Sequence, residues 1–283
     1  MPSYARPTRI DDALGILDRE RPRVLAGGTD LYASPDARLA DTAVLDLSAI
    51  HELHGIHASR EGWRIGASTT WTQVCEAKLP PQFDALKLAG REIGGRQVQN
   101  AGTIAGNLCN ASPAADGTPA LLALDASVEL AGAAGTRTLA VREFVLGPRR
   151  TALQPGELVT AILVPKPAHA AQGTFLKLGA RKYLLISIAM VGAVVEVRGD
   201  VIAAARLAVG SCSPVAQRLP ALEAHLAGVK LAPGIGAHVQ PAHLEPLSPI
   251  DDVRATAAYR REAALELVRR ALESLAAPLE APL

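Results

Sequence analysis

The sequence is short of cysteine, carries almost no net charge and lacks a long apolar run. Its cysteines, Cys75, Cys109 and Cys212, number 3 in 283 residues, too few and too scattered for a disulfide framework. They are also short of the four thiolates that one iron–sulfur cluster usually takes. Lys and Arg number 29 against 28 Asp and Glu, and a net charge of +1 offers no field for gripping a nucleic-acid backbone. The longest apolar stretch, Leu184 to Val197, is broken by Ser187 and Glu196 and falls short of the ~20 residues of a spanning helix. Met1 to Pro7 shows no apolar core and no twin arginine, so the expected location is a reducing cytoplasm where the thiols stay reduced.

What is present suits a folded chain of about two domains: 49% of residues are hydrophobic and 20% charged. Apolar spacing predicts a short helix over 11–19, strands over 23–26, 43–47 and 63–67, and helices over 69–77 and 83–93. Gly94-Gly95 stops the last of these. From 101 to 117 the chain is dense in Gly, Asn, Ser, Thr and Asp without periodicity, which reads as a long loop. Pro119 then opens a helix through Leu124, and Ser127 to Ala131 reads as a strand. After about residue 168 the texture becomes a strand series, 173–179, 186–198 and 201–210, with Gly199-Asp200 as a hairpin turn. Helices follow over 219–226 and about 251–276. The last has Leu265, Val268, Leu272 and Leu275 on one stripe, and its arginines read as a solvated or docking face. The Pro-, His- and Gly-rich segment 233–249 reads as a surface excursion. There is no internal repeat and no low-complexity tract. The fold class is α+β, with a mixed first part and a C-terminal antiparallel sheet with helices against it.

Two segments carry chemistry. The first, Ala26-Gly27-Gly28-Thr29-Asp30-Leu31, follows a strand directly. Paired glycines let backbone N–H groups approach a phosphate without interference from Cβ, and Thr29 adds a hydroxyl donor. Asp30 suits a cap or a hydroxyl acceptor, because its charge repels phosphate. A plain turn is the other reading of this loop. The second segment places Gly102, Thr103, Gly106, Asn107, Asn110, Ser112 and Asp116 within fifteen residues. Its amides and hydroxyls suit an uncharged cradle for a pyrophosphate and ribityl hydroxyls. A structural loop is the alternative. Neither segment is a Rossmann fingerprint, and no Walker lysine is present.

At these two loops the chain resembles the FAD-binding medium subunit of molybdenum hydroxylases, the xanthine dehydrogenase and carbon monoxide dehydrogenase type. AGGTDL at 26–31 and TIAGN at 103–107, followed by Asn110-Ala111-Ser112-Pro113 and Asp116, carry the likeness. Ile93 to Val98 and the helix around Tyr259-Arg260-Arg261 extend it over essentially the whole chain. The resemblance implies a vanillyl-alcohol-oxidase-like, PCMH-type FAD-binding domain of two α/β subdomains over 1–168, and a C-terminal domain over 169–283. It implies FAD as cofactor. Val24 to Leu31 would wrap the pyrophosphate, and Thr103, Ile104, Ala105, Gly106 and Asn107 would meet pyrophosphate and ribityl. Ile93 would lie near the cofactor, Asp116 would make a polar contact, and Lys177 would lie near the flavin ring, where a cation favours reduced flavin. It also implies partners: a small subunit with two [2Fe–2S] clusters and a large subunit with the molybdenum cofactor, as a heterotrimer or its dimer.

Two departures stand out. Ala105 occupies a usual glycine position. The stretch Arg181-Lys182-Tyr183-Leu184-Leu185-Ile186-Ser187-Ile188-Ala189 lacks the family's aspartate before Ile-Ala, and Tyr183 is either a cover for one flavin face or an ordinary core or surface tyrosine. Other features carry less. His51, His54 and His57 would share a face only on a helix, and the pattern there reads as strand and loop. Cys109 is a redox thiol or a small buried filler. No nucleophile elbow is present, and no catalytic acid, base or metal ligand is assigned. The expected role is electron transfer through FAD to NAD⁺, a quinone or another acceptor. The alternatives are a self-sufficient flavin oxidase of the same superfamily and a non-catalytic nucleotide-binding protein.

Overall fold

The strands expected from Arg23, Ala43 and Trp63 onward all form, in a computed structural model that describes residues 3–33, 42–181 and 185–277. Lys182 and Tyr183 lie outside the described residues. Two units are present. The first comprises Met1–Ala77, Gly95–Ala111 and Ala126–Lys166, and the second Lys78–Gly94, Ser112–Asp125 and Pro167–Leu283.

The first unit holds a three-stranded parallel sheet in which Val44–Asp46 lies between Tyr4–Ala5 and Arg23–Leu25. The helix Ile10–Glu20 has Asp11 and Asp12 in its first turn, where carboxylates meet the positive end of the dipole, and buries Ala13 and Leu17. It stops at Arg21 in the left-handed region, φ 47°. A second, antiparallel sheet runs in the order Ile56–Ala58, Gly62–Gly66, Leu158–Pro165, Ser127–Gly132, Gly135–Ala140. Its apolar layer includes Ile65, Val128, Leu130 and Ile162, all fully buried. The helix Trp71–Glu76 starts at a capping box in which Thr70 and Gln73 satisfy each other's backbone N–H.

The second unit is built on an antiparallel meander of Ala170–Leu178, Ala189–Arg198, Val201–Gly210 and Gln217–Arg218. Gly199, φ 68°, makes the expected hairpin turn. From Ala189 to Val195 every residue is buried, because both faces of this strand are covered. Ala189, Val191, Ala193 and Val195 join Ala264, Val268, Leu272 and Leu275 of the helix Ala257–Ala276 in one apolar cluster. On the opposite face Gly192 lies against the helix Gly117–Ala123, so closely that a Cβ would come to 2.8 Å from the Pro119 carbonyl oxygen.

Four expectations are corrected here. Residues 186–188 do not extend the strand, which begins at Ala189, and the Ser187 hydroxyl turns to Asp116 instead. The last helix begins at Ala257 rather than 251. Asp251 and Asp252 use their carboxylates to accept the backbone N–H groups of Ala257 and Arg254, and Thr256 supplies the cap. The helix arginines are a solvated face only in part: Arg261 and Arg270 are exposed, the latter paired with Glu266, but Arg269 is half-buried and Arg260 is buried. Arg260 is only 3% exposed, since it lies four residues before Ala264 on the buried stripe. Arg261 and Arg269 donate to the carbonyls of Leu244, Leu247 and Val239. The segment 233–249 is not a surface excursion. Its two short 3₁₀ turns, Ile235–His238 and Pro241–Leu244, deliver Ile235, Val239, Leu244 and Leu247 to the core.

Candidate FAD site

In the first unit the two glycine loops meet backbone to backbone. A Cβ at Gly27 would overlap the Ala101 carbonyl oxygen and come to 2.9 Å from Gly102 Cα. Gly28 adopts φ 71°, a conformation open to glycine at no steric cost. A Cβ on Gly102 would touch Thr29 Oγ1 at 3.4 Å. Gly27, Gly28, Thr29 and Asp30 donate their backbone N–H groups to no other described residue. Val24 and Asp30 are exposed, Leu25 is buried, and Ala26 to Thr29 and Leu31 are half-buried.

The region 101–117, expected to be one long loop, holds a helix over 104–110 and stays loop and turn over 111–116. Ile104–Asn110 is an α-helix capped by Thr103, whose Oγ1 accepts the Gly106 N–H at 3.1 Å. At Gly106 a Cβ would come to 2.8 Å from that hydroxyl. Ile104, Ala105 and Leu108 face the core of the unit, and Gly106, Asn107 and Asn110 are half-buried. The alanine at 105 therefore carries its methyl inward, and its N–H donates to the Ala67 carbonyl at 3.4 Å. The polar residues that disguised this helix are its cap and its outer face. Replacing Thr103 with Ala should cost about 1 kcal/mol. That is a fall in Tm of roughly 2–4 °C for a chain of this size, and thermal unfolding of the full chain checks it.

Asp30 behaves as its charge suggests. Its Oδ1 accepts from Asn110 Nδ2 at 2.7 Å. Asn110 Oδ1 in turn accepts from Arg149 Nη1, and the Arg149 N–H donates to the Ala111 carbonyl at 2.9 Å. Arg149 is exposed and sits in the left-handed region at φ 58°. Sequence reasoning missed it, since nothing local sets Arg149 apart from Arg150. Cys109 is half-buried, and the desolvation of its thiol pushes it up to about 12, which leaves little thiolate for redox chemistry at neutral pH. His51 lies in a 3₁₀ turn and His57 on a strand, and no group of three His, Cys, Asp or Glu among the described residues could hold a metal ion.

In the second unit the structure brings Asp116 and Lys177 together. Lys177 Nζ donates to Asp116 Oδ2 at 2.7 Å, with side chains 9% and 8% exposed. The lysine also donates to the carbonyl of Glu92 at 3.3 Å. Ile93, which closes the helix Asp84–Glu92, follows that carbonyl in the chain. Ser187, missed by sequence reasoning as a contact, donates to Asp116 Oδ1 at 2.7 Å and is 1% exposed. Burial pushes the Asp116 carboxyl up, the Lys177 charge and the two hydrogen bonds pull against it, and Glu92 adds to the rise. Lys177 fronts a cavity of ≈ 590 Å³ whose wall includes Glu92, Phe175, Gly179, Arg181 and Leu185.

Two apposed glycine loops with backbone donors, and a buried ion pair at a cavity wall, are the parts of a flavin-nucleotide-binding protein. Residues 1–167 match the family model of the FAD binding domain in molybdopterin dehydrogenase, and residues 174–275 match the CO dehydrogenase flavoprotein C-terminal domain. The carbon monoxide dehydrogenase medium chain of Afipia carboxidovorans is 33% identical over 95% of this chain and 95% of its own length. The glyceraldehyde dehydrogenase medium chain of Sulfolobus acidocaldarius is 31% identical over 97% and 98%. A solved structure titled as reconstituted CO dehydrogenase from Oligotropha carboxidovorans superposes with a TM-score of 0.89 at 30% identity, covering 97% of each chain. The chain belongs to the FAD-binding medium-subunit family of molybdenum hydroxylase-type oxidoreductases. The mixed α+β fold of that family and the FAD implied by the resemblance both stand. Among the described residues no helix is long and apolar enough to cross a membrane.

The donor set fits the cofactor. A glycine that admits no Cβ keeps the two loops in register, the first loop offers N–H donors, and a lysine ammonium is held by a buried carboxylate.

Proposed function

We propose that this chain is the electron-transfer flavoprotein subunit of a three-component molybdenum hydroxylase. A partner with two [2Fe–2S] clusters would deliver electrons released at a molybdenum-bearing large subunit. NAD⁺, a quinone or another acceptor would receive them, in a heterotrimer or its dimer. Support comes from the relatives, named as medium chains of carbon monoxide and glyceraldehyde dehydrogenases, and from the three cysteines, too few to hold a cluster here. The cytoplasm is the proposed compartment, in keeping with three thiols and no disulfide.

The observation that carries the reading is the close apposition of Gly27 with Ala101 and Gly102, which makes one cradle of two distant segments. In it, Val24 to Leu31 take the pyrophosphate, and Thr103, Ile104, Ala105, Gly106 and Asn107 take pyrophosphate and ribityl. In the second unit, Asp116 makes a polar contact, Ile93 lies near the cofactor, and Lys177 presents its ammonium to the flavin ring. The division near residue 168 separates the FAD-binding part from the C-terminal part. When bound, FAD supplies the redox chemistry, and this chain contributes binding, orientation and electrostatics. Purified full-length chain should show flavin absorption bands without turning over substrate, and reduction by substrate should appear on adding both partners. Substrate turnover by the isolated chain would make it a self-sufficient oxidase. No flavin bands even after added FAD would leave a nucleotide-binding protein of another kind.

A further inference from the structure

Ser187 connects three features of the second unit. Its hydroxyl donates to Asp116 Oδ1 at 2.7 Å, while Lys177 holds Oδ2 at the same distance, so both carboxylate oxygens are taken. Its neighbour Ile188 is fixed at both ends, with the N–H donating to Leu178 at 2.8 Å and the carbonyl accepting from Arg260 Nη1 at 2.6 Å. The main chain next to Ser187 therefore cannot move from the carboxylate without breaking these bonds. Two residues earlier, Leu185 lines the same cavity as Lys177.

We propose that Ser187 is a positioning residue that keeps Asp116 ionised, and with it keeps the Lys177 charge neutralised at the cavity wall. The physical reason is the direction of the bond. A hydroxyl donating to a buried carboxylate favours the charged form, against the desolvation that disfavours it. The charged groups around the carboxyl are Lys177, on the sheet, and Glu92, on the helix Asp84–Glu92, and Arg91 and Arg181 line the same cavity. Without the hydroxyl, Asp116 takes a proton more readily. Lys177 then stands beside a neutral acid as an uncompensated cation. The consequence for the cofactor rests on the placement of Lys177 at the flavin ring proposed above. An uncompensated cation there favours the reduced flavin, so the reduction potential gains a pH dependence beyond the flavin's own over the range in which Asp116 titrates.

The test uses the full chain and four variants: Ser187→Ala, Ser187→Thr, Lys177→Gln and Asp116→Asn. Without FAD, carbon-13 NMR follows the Asp116 carboxyl through its titration, with Asp116→Asn identifying the signal. Ser187→Ala should raise the proton affinity of Asp116 about tenfold, and Ser187→Thr should restore it. An unmoved titration in Ser187→Ala overturns the proposal. With FAD bound, Ser187→Ala should favour reduction by up to about tenfold between the Asp116 titrations of variant and parent that the NMR measures, which is about 30 mV for a two-electron couple. Ser187→Thr should behave as the parent, and Lys177→Gln should lower the potential throughout. If Lys177→Gln moves the potential and Ser187→Ala does not, the coupling to the cofactor is overturned. If the titration moves but neither variant moves the potential, the placement of Lys177 at the flavin fails while the role of Ser187 toward Asp116 stands.

Discussion

Gly27→Ala should cost the chain most of its affinity for FAD. The added methyl would overlap the Ala101 carbonyl oxygen and lie 2.5 Å from its carbon, and Gly102 Cα would be 2.9 Å away. All of these atoms are backbone, so no side chain can swing aside and one loop must move. The chain around Ala101 has little freedom, because the Gly102 carbonyl accepts the Trp71 N–H at 3.1 Å and the Ile104 N–H donates to Thr69 at 3.0 Å. Overpacking of this kind costs about 1–3 kcal/mol. A displacement of about 1 Å in a site that depends on backbone donors weakens its function by a factor on the order of 100. The measurement is FAD affinity by fluorescence quenching, with thermal unfolding alongside. Gly28→Ala is the informative control. Its Cβ would meet the Tyr32 ring, at 2.5 Å from Cε2, and that ring can rotate away. Its φ of 71° costs about 1–2 kcal/mol for any residue with a Cβ. Gly28→Ala should therefore lower Tm and weaken FAD less. Equal affinity in Gly27→Ala and the parent would show that the first loop is only a turn.

Arg260→Ala should be the most destabilising single truncation in the last helix. The guanidinium is 3% exposed and donates to the carbonyls of Ile188 and Ser211 and to Asp252 Oδ1, at 2.6, 3.1 and 2.7 Å. Truncation takes this donor from the carbonyls of Ile188 and Ser211 and removes one partner of the Asp252 carboxylate, which keeps the Arg254 side chain and the N–H groups of Arg254 and Ala255. Breaking such a buried pair costs about 3 kcal/mol, the low end of the usual range because Asp252 is partly exposed and can rehydrate. Arg260→Lys keeps the charge but loses the fork that reaches two carbonyls at once, so it should recover only part of the loss.

The same pair gives a pH dependence. The Arg254 backbone N–H, and then the Arg260 side chain, hold the Asp252 carboxyl well below the usual carboxylate range. A carboxyl whose folded value is depressed stabilises the fold fully above its unfolded value, about 3.9. That contribution is lost as the pH falls from there through the depressed folded value. Asp252→Asn and Arg260→Ala should both flatten the stability profile on the acid side of pH 4, measured by urea unfolding from pH 6 downward. A parent profile already flat there would contradict this. Because Arg260 also holds the Ile188 carbonyl, its loss should loosen the segment that bears Ser187.

The pattern of residues placed most strands and helices within a few positions, and the misses share one cause. The helix Ile104–Asn110 was hidden because its cap, Thr103, and its outer residues, Gly106, Asn107 and Asn110, are the residue types that also make loops. Arg260 looked solvated because arginine usually is, and only the geometry of the last helix reveals that it shares a stripe with Ala264 and Val268. The segment 233–249 looked like a surface excursion by composition, but Ile235, Val239, Leu244 and Leu247 turn inward.

The residues alone indicated the local features: the hairpin turn at Gly199-Asp200, a helix close to Thr70, and two glycine loops suited to offering backbone donors. These signals act within a few positions, through dihedral preference, capping and the alternation of faces. They also sufficed for the resemblance that pointed to FAD. What only the tertiary structure decided is which distant groups meet. Gly27 lies against Ala101, Lys177 finds a carboxylate 61 residues away, and Ser187 reaches the same group across 71. No local preference encodes such meetings, because they depend on how sheets and helices bury their apolar faces. The burial that brings Asp116 and Lys177 out of water is also what makes their charge states worth controlling.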